Sequence, residues 1–563
     1  MIDLDSLFTN AERATERRAL MERWRAEGLH DDTSLPDALE RAAENDPDNT
    51  IVFHSKDNPG RVRLDALHRR SRLVATALAT HGIRRGDVVA VQLPNRVETL
   101  LVYTALARLG AVFVPIVHIY GPKETDWILR ASRARMFICP DRWAKIDFCE
   151  RIGRMPACEG IDVVVVGQNA PSGTTSWDDL MALQDPSRLL PTISASDPLL
   201  IVYTSGTTAE PKGVLHTHQT LMAELRNMPH MPMGSSEEVS LQPWPAGHIG
   251  GLLALLSPIV TGFRCVVLDK WDVEDAVSLV EEHRVTRLCG APFHVSAFLD
   301  RKEQGDPRLD SVKEVMSGGA GVPPLLVERS EAAGWLTMRS YGSTEHPTAS
   351  AGSRYGTARA RAFSDGAACP NSEIQITRED GTECEVGEPG EVWLRGPEQF
   401  VGYTDPELNR ESFAPGGWFR TGDVGVMDRE GNLSITDRIK DIIIRGGENL
   451  SSLEIEDLVL RHDDVAEAAA VGWPDPRYGE RVCIFVVPLP GKSAPDVADL
   501  IVHFEGLGVA RQKTPEKVVP VAELPRTAAG KIKKNELRRV LTESQASSTD
   551  RHEGGRGRSE RYG

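Results

Sequence analysis

The sequence predicts an α/β protein: a large N-terminal domain of parallel sheets, helices and a β-rich subdomain, followed by a small α+β C-terminal domain. Three observations predict it. Strands alternate with helices over residues 35–116 and again over 199–292; beyond Asp365 short strands punctuated by Gly and Asp take over; and after Lys440 a compact block carries its own apolar pattern. Strands separated by helices pair in parallel, because a crossover needs a dozen residues or more. A chain of 563 residues also exceeds what one core usually organises.

In the first alternating stretch a polar helix leads into DVVAVQL, a β-branched strand. PNRVETLLVYTALARLGA follows as an apolar-periodic helix, then VFVPIV as a strand. The alternation resumes in LLIVYT (199–204), in FRCVVL with the helix VEDAVSLVEEH, and in RLCGAP, each strand ending in small or turn-forming residues. Doubly wound sheets bind ligands at such strand ends. SEIQITREDGTE, GEVWLRG and GNLSITDRI then form the β-rich part. IEDLVLRH, VAEAAAVGW, RVCIFVVPL, DVADLIVHFEGLG and KVVPVAEL make a last domain of about 100 residues. The boundary falls near residues 438–441, giving domains 1–439 and 440–543, and the Gly/Arg/Ser-rich tail 544–563 is expected to be disordered.

A net charge of -17 argues against nucleic-acid binding. The charged N-terminus lacks the apolar core of a signal peptide, and no stretch approaches the length of a transmembrane span, so a cytoplasmic protein is expected. The eight cysteines are scattered without metal-ligand spacing and read as free thiols. His216 and His218, in LHTHQT, have zinc-like spacing but no third ligand.

Thr204, Ser205, Gly206, Thr207, Thr208, Ala209, Glu210, Pro211, Lys212 and Gly213 leave an apolar strand and gather hydroxyls, glycines and a lysine. Such a loop cradles phosphate: glycine lets backbone N–H groups approach an anion, hydroxyls donate, and lysine supplies charge. A polar hairpin turn is the alternative. It is not a Walker A loop, because Lys212 lies between Pro211 and Gly213.

Six segments in order resemble the AMP-forming adenylate enzymes, the superfamily of acyl-CoA synthetases, adenylation domains and firefly luciferase. They are YTSGTTAEPKGV, SGGAGVPP (317–324), YGSTE (341–345), GWFRTGD (417–423), DRIKDIIIRGGENL (437–450) and PRTAAGKIKK (525–534). Short- and medium-chain or alicyclic acid–CoA ligases are nearest in look. One departure is Ala209, where the family usually has glycine.

The resemblance implies ATP, Mg²⁺ and coenzyme A as reactants with a small-molecule carboxylic acid, and a C-terminal domain that rotates between two half-reactions. Attack of an ionised carboxylate on the α-phosphorus needs no general base, but two anions must be brought together. By resemblance, Lys531 stabilises the adenylation transition state, Glu345 holds Mg²⁺, and Thr204 joins them in catalysis. Thr204, Ser205, Gly206, Thr207, Thr208 and Lys212 contact the phosphates. Tyr341 offers a face to adenine beside Gly319 and Ala320, within the segment Gly342, Ser343 and Thr344. Asp423 accepts from the ribose hydroxyls, and Arg438 lies on the ribose and phosphate side. Lys440 is the pivot, and Gly446 and Gly447 line the pantetheine path in the second state, after the small domain has rotated. On spacing alone Lys531 reads first as a solvated lysine in KIKK, and only the other five motifs reverse that; the alternative for the glycine pair is a simple turn.

WPAGHIGGLLALLSPIVTG (244–262) resembles the segment bordering the acyl pocket, with His248 at its gate and a helix beginning near Gly250; Gly319 also contributes. That apolar wall suits a hydrophobic acid, medium-chain, alicyclic or steroid-derived, with no cation evident for a second carboxylate. Rival readings are an enzyme that loads a carrier protein, a silent nucleotide-binding protein of the same fold, and light emission on the same scaffold. A homodimer stays open.

Overall fold

The computed structural model describes residues 4–204, 211–228, 238–527 and 530–541. The sequence's alternation is realised in two sheets. The first has eight strands, with Pro198–Thr204, Val112–Pro115, Val88–Val91, Met136–Pro140, Asp162–Val166 and Thr175–Ser176 in parallel. Lys212–Thr217 joins it antiparallel, with Gly402–Tyr403 beyond. The helix Val97–Leu109 is buried nearly all round, as its almost unbroken apolar sequence requires. The helix Leu35–Asn45 starts on a capping box: the Ser34 hydroxyl accepts from the Asp37 N–H, and the Asp37 carboxylate accepts from the Ser34 N–H.

The second sheet has thirteen strands. Its parallel part includes Val239–Gln242, Arg264–Leu268, Arg287–Gly290, Glu314–Gly318 and Leu336–Tyr341. The short strands beyond Asp365 continue it antiparallel, so the β-rich segment extends the earlier sheet edge to edge. Periodicity marks those strands as a change of character, whereas only pairing decides that they share a sheet.

The last strand of that sheet, Asn432–Arg438, is followed after residues 439–442 by Ile443–Arg445, first of a separate five-stranded sheet. The helices Ser452–Val459 and Val497–Gly506 accompany this small sheet. Its core is its own: Ile443, Ile455, Val459, Val482, Ile484, Val486, Leu500 and Phe504. The tail 544–563 lies outside the described residues. No helix among the described residues is long and apolar enough to cross a membrane.

Candidate active site

The carboxyl ends of Pro198–Thr204, Glu314–Gly318 and Leu336–Tyr341 open onto one cleft of about 1610 Å³. Thr204 and Lys212 are cross-strand partners, so the loop between them leaves and re-enters the sheet at one point. Ser205, Gly206, Thr207, Thr208 and Ala209 lie outside the described residues. The Lys212 ammonium sits 5.2 Å over the Tyr403 ring, and the Tyr403 hydroxyl donates to Glu345 Oε1 at 2.7 Å. Tyr403 owes its place to antiparallel pairing with Val214. Gly213 allows this packing, because a Cβ there would stand 2.5 Å from Thr404 Oγ1.

Residues 341–348 form a tight loop. A Cβ on Gly342 would lie 1.9 Å from the Pro347 carbonyl oxygen, and the Ser343 N–H donates to the His346 carbonyl at 2.9 Å. From outside, the Phe400 N–H donates to the Glu345 carbonyl at 2.8 Å, and His216 Nε2 lies 2.8 Å from the Thr344 carbonyl. A carbonyl only accepts, so Nε2 carries the His216 proton, leaving Nδ1 to accept from Thr220 Oγ1 at 3.0 Å. His218 Nδ1 accepts from the Leu35 N–H at 3.1 Å. Burial lowers both histidines to about 4. The pair with zinc-like spacing thus braces backbone, and no metal-ligand cluster occurs among the described residues.

Asp423 and Arg438 face each other in register across a hairpin, with Arg438 Nε 2.9 Å from Asp423 Oδ1. The Tyr341 hydroxyl donates to Asp423 Oδ2 at 2.7 Å. The sequence assigned Tyr341 to adenine by its ring; the structure adds that its hydroxyl orients the carboxylate. Burial and the Asp423 charge push that phenol well above its ordinary range.

Lys531 reaches the same cleft from the small domain. Its hairpin closes through an Arg526–Ile532 bridge, with the Thr527 N–H donating to the Lys531 carbonyl at 2.8 Å. Gly530, at φ +83°, seats the hairpin on the large domain: a Cβ would stand 2.3 Å from Phe293 Cε1. The Arg526 guanidinium lies 5.8 Å over the same ring. Burial, then the Arg438 charge, lower Lys531 to about 8, against the raising influence of Asp423 and Glu345. Burial and Arg438 likewise hold Lys440 at about 8.

His248 caps the helix Ile249–Thr261, its ring stacked near that of Trp244 with centroids 6.3 Å apart. Burial and then the Lys531 charge lower it to about 4, so it is neutral at pH 7. Gly319, at φ +75°, lies so close to Trp244 that a Cβ would stand 2.9 Å from its ring. Gly250, Ala320, Gly342, Ser343 and Thr344 line the same cleft.

Gly446 and Gly447 do not line the cleft. They turn the hairpin between Ile443–Arg445 and Glu448–Leu450 at φ 62° and 87°, the positive values a two-residue turn demands of both central residues. Residue-type reasoning passed over Trp244, Phe293, Tyr403 and Arg526. The only sequence signal for Tyr403 is its place in VGYTD; Phe293 and Arg526 matter through a contact between domains.

Parallel strands emptying into one cleft, with a small domain that delivers a lysine into it, define a two-domain α/β nucleotide-enzyme architecture. The chain belongs to the AMP-binding enzyme family, whose model matches residues 39–404, and the model of the AMP-binding enzyme C-terminal domain matches residues 454–531. It is 32% identical over 535 residues to the medium-chain fatty-acid–CoA ligase of Escherichia coli (strain K12), covering 93% of each chain. It is also 32% identical over 523 residues to the 3-[(3aS,4S,7aS)-7a-methyl-1,5-dioxo-octahydro-1H-inden-4-yl]propanoyl:CoA ligase of Rhodococcus jostii (strain RHA1), covering 90% of this chain and 98% of the relative. Among solved structures, ATP-bound MatB from Rhodopseudomonas palustris superposes with a TM-score of 0.80 at 28% identity, over 90% of this chain and 99% of that one.

Proposed function

We propose that this protein is an ATP-dependent carboxylic acid–CoA ligase that forms acyl-AMP and pyrophosphate, then acyl-CoA and AMP, on a hydrophobic acid. The observation that carries the reading is the approach of Lys531, from the small domain, to the cleft that holds Glu345, Asp423 and Arg438. In this reading the nucleotide lies along Gly319, Ala320 and residues 341–344, with adenine against the Tyr341 ring. Asp423 takes the ribose hydroxyls. Its oxygens already accept from Arg438 and Tyr341, yet an ionised carboxylate has about four acceptor sites, so two remain.

Thr204 and Lys212 face the phosphates. Glu345 is one carboxylate with one oxygen fixed by Tyr403, which fits Mg²⁺, a cation usually held by one or two carboxylates together with substrate phosphates. Bound there, Mg²⁺ would supply charge neutralisation between ATP and Glu345. Lys531 adds a cation where negative charge builds at the α-phosphorus. Neutral His248 and Trp244 gate the acid, and the apolar helix beyond them suits a medium-chain or ring-containing substrate like those named for the relatives. The domain boundary at residue 440 lies between the two sheets, which suits a pivot at Lys440 for the thioester half-reaction.

The test is incubation with ATP, Mg²⁺, CoA and a panel of linear, alicyclic, aromatic and steroid-derived acids, with AMP, pyrophosphate and acyl-CoA followed by mass spectrometry. Acid-dependent AMP with acyl-CoA is expected. Acyl-AMP without thioester would replace the reading with carrier-protein loading, and no acid-dependent ATP consumption would leave a silent nucleotide-binding protein.

A further inference from the structure

A chain of buried hydrogen bonds crosses the domain boundary on either side of Lys440. The strand Asn432–Arg438 ends the large domain, and the helix Ser452–Val459 opens on Ser451 in the small one. Asp437 Oδ2 accepts from the Ser452 N–H at 2.5 Å, and Oδ1 accepts from the Ser452 hydroxyl at 3.1 Å. Beside them the Ser451 hydroxyl donates to the Thr436 carbonyl at 2.6 Å. Asp437 and Ser452 are both buried. The first N–H groups of a helix have no partner within it, and here a residue of the other domain supplies one.

The chain continues toward Lys531. Lys534, three residues further on, donates to Ser452 Oγ at 2.6 Å and pairs with Glu456 Oε1 at 2.7 Å. An ammonium only donates, so Ser452 Oγ accepts from Lys534 and its single proton goes to Asp437. Every link therefore runs one way, from Lys534 through Ser452 to Asp437. Glu456 Oε1 also accepts from the Ala470 N–H at 2.8 Å, which ties Lys534 to the small sheet. When the small domain turns, Ser451, Ser452, Glu456 and Lys534 move with it, whereas Thr436 and Asp437 stay with the large sheet. Turning about Lys440 must break the bonds of Ser451 and Ser452 to the strand, and those to the carboxylate are the charge-assisted, stronger kind.

We propose that Asp437 and Ser452 are positioning residues for adenylation: together they latch the small domain, and Lys531 with it, in the orientation of this structure, and the latch opens for thioester formation. The inference rests on the ligase reading above and deepens it. Ser452 is the first residue of its helix, a position where proline fits, and Ser451 has the extended backbone that a residue before proline adopts, at φ -70° and ψ 122°. Ser452→Pro therefore removes both donors to Asp437 and keeps the helix. Only the latched fraction adenylates, so pyrophosphate release by the whole enzyme with ATP, Mg²⁺ and a hydrophobic acid is expected to fall about tenfold. Asp437→Asn is expected to fall similarly, and Ser452→Ala, which keeps the N–H, by less. Thioester formation from pre-made acyl-AMP and CoA is expected to be undiminished in all three, a split that a merely structural role would not produce. Unchanged adenylation in Ser452→Pro, or in Asp437→Asn where the proline variant does not fold, or equal loss of both half-reactions, would overturn the latch and leave the ligase reading standing. A wild-type enzyme that releases no pyrophosphate with any acid would overturn both.

Discussion

Lys531 gives the site its clearest residue-scale behaviour, because burial beside Arg438 holds it at about 8 while Asp423 and Glu345 pull the other way. A lysine is charged below its pKa, so the cation proposed to serve adenylation is lost as pH rises through about 8. We expect kcat/KM for ATP, which reports the free enzyme, to fall along that limb. The limb should move upward in Lys531→Arg; Lys440, also near 8, is controlled for by Lys440→Arg. Lys531→Ala should cut the adenylation half-reaction by roughly 10²–10³, the usual loss for a donor aimed at developing charge, while thioester formation from pre-made acyl-AMP survives better. Equal loss of both half-reactions, measured by quenched single turnovers, would contradict a separate state for each. Most of these residues were legible from residue type and motif order. The Tyr341–Asp423 and Tyr403–Glu345 bonds were not, because each joins residues 82 and 58 positions apart.

At the scale of elements, two contacts hold the catalytic segments in place. The Lys531 hairpin docks through Gly530 on Phe293. Gly530→Ala forces both a clash there and a strained positive φ, the latter alone costing about 1–2 kcal/mol. It should depress adenylation with little change in global Tm, whereas a large Tm loss with intact adenylation would show that the contact serves stability alone. The second is the helix Ala11–Ala26, which precedes the matched family region. Its buried Arg17 donates through Nη2 to the carbonyls of Phe400 at 2.6 Å and Gln399 at 2.9 Å, and Phe400 in turn holds Glu345. Arg17→Met strips two buried carbonyls of their donor, at about 1–3 kcal/mol. We expect a lower midpoint in urea unfolding and a raised KM for ATP. Helix periodicity finds such an element but not what its one buried arginine touches.

Across the whole molecule, pH should act on stability through a buried acidic pair. Glu224 and Glu398 are fully buried, and burial pushes Glu224 to about 8, reinforced by Glu398, and Glu398 to about 7. A carboxyl raised in the fold binds a proton that the unfolded chain has released, so its stabilising contribution is complete below about 4.5 and is lost as pH rises toward 8. Glu224→Gln, which keeps the shape and removes the charge, should raise Tm at pH 8 by several degrees and change it little at pH 5. Scanning calorimetry at both values decides; an equal shift at both would remove the titration from the explanation.

By itself the sequence determined the α/β class, the order of strands and helices, the family and most of the cleft. Those depend on local periodicity, on glycine and proline at turns, and on motifs that occupy contiguous residues. Tertiary structure alone decided that the short strands beyond Asp365 extend the preceding sheet. It alone placed the buried Arg287 between Glu238 and Glu314. Each of these is a pairing between segments distant in the chain, and packing, not local propensity, selects which distant partners meet.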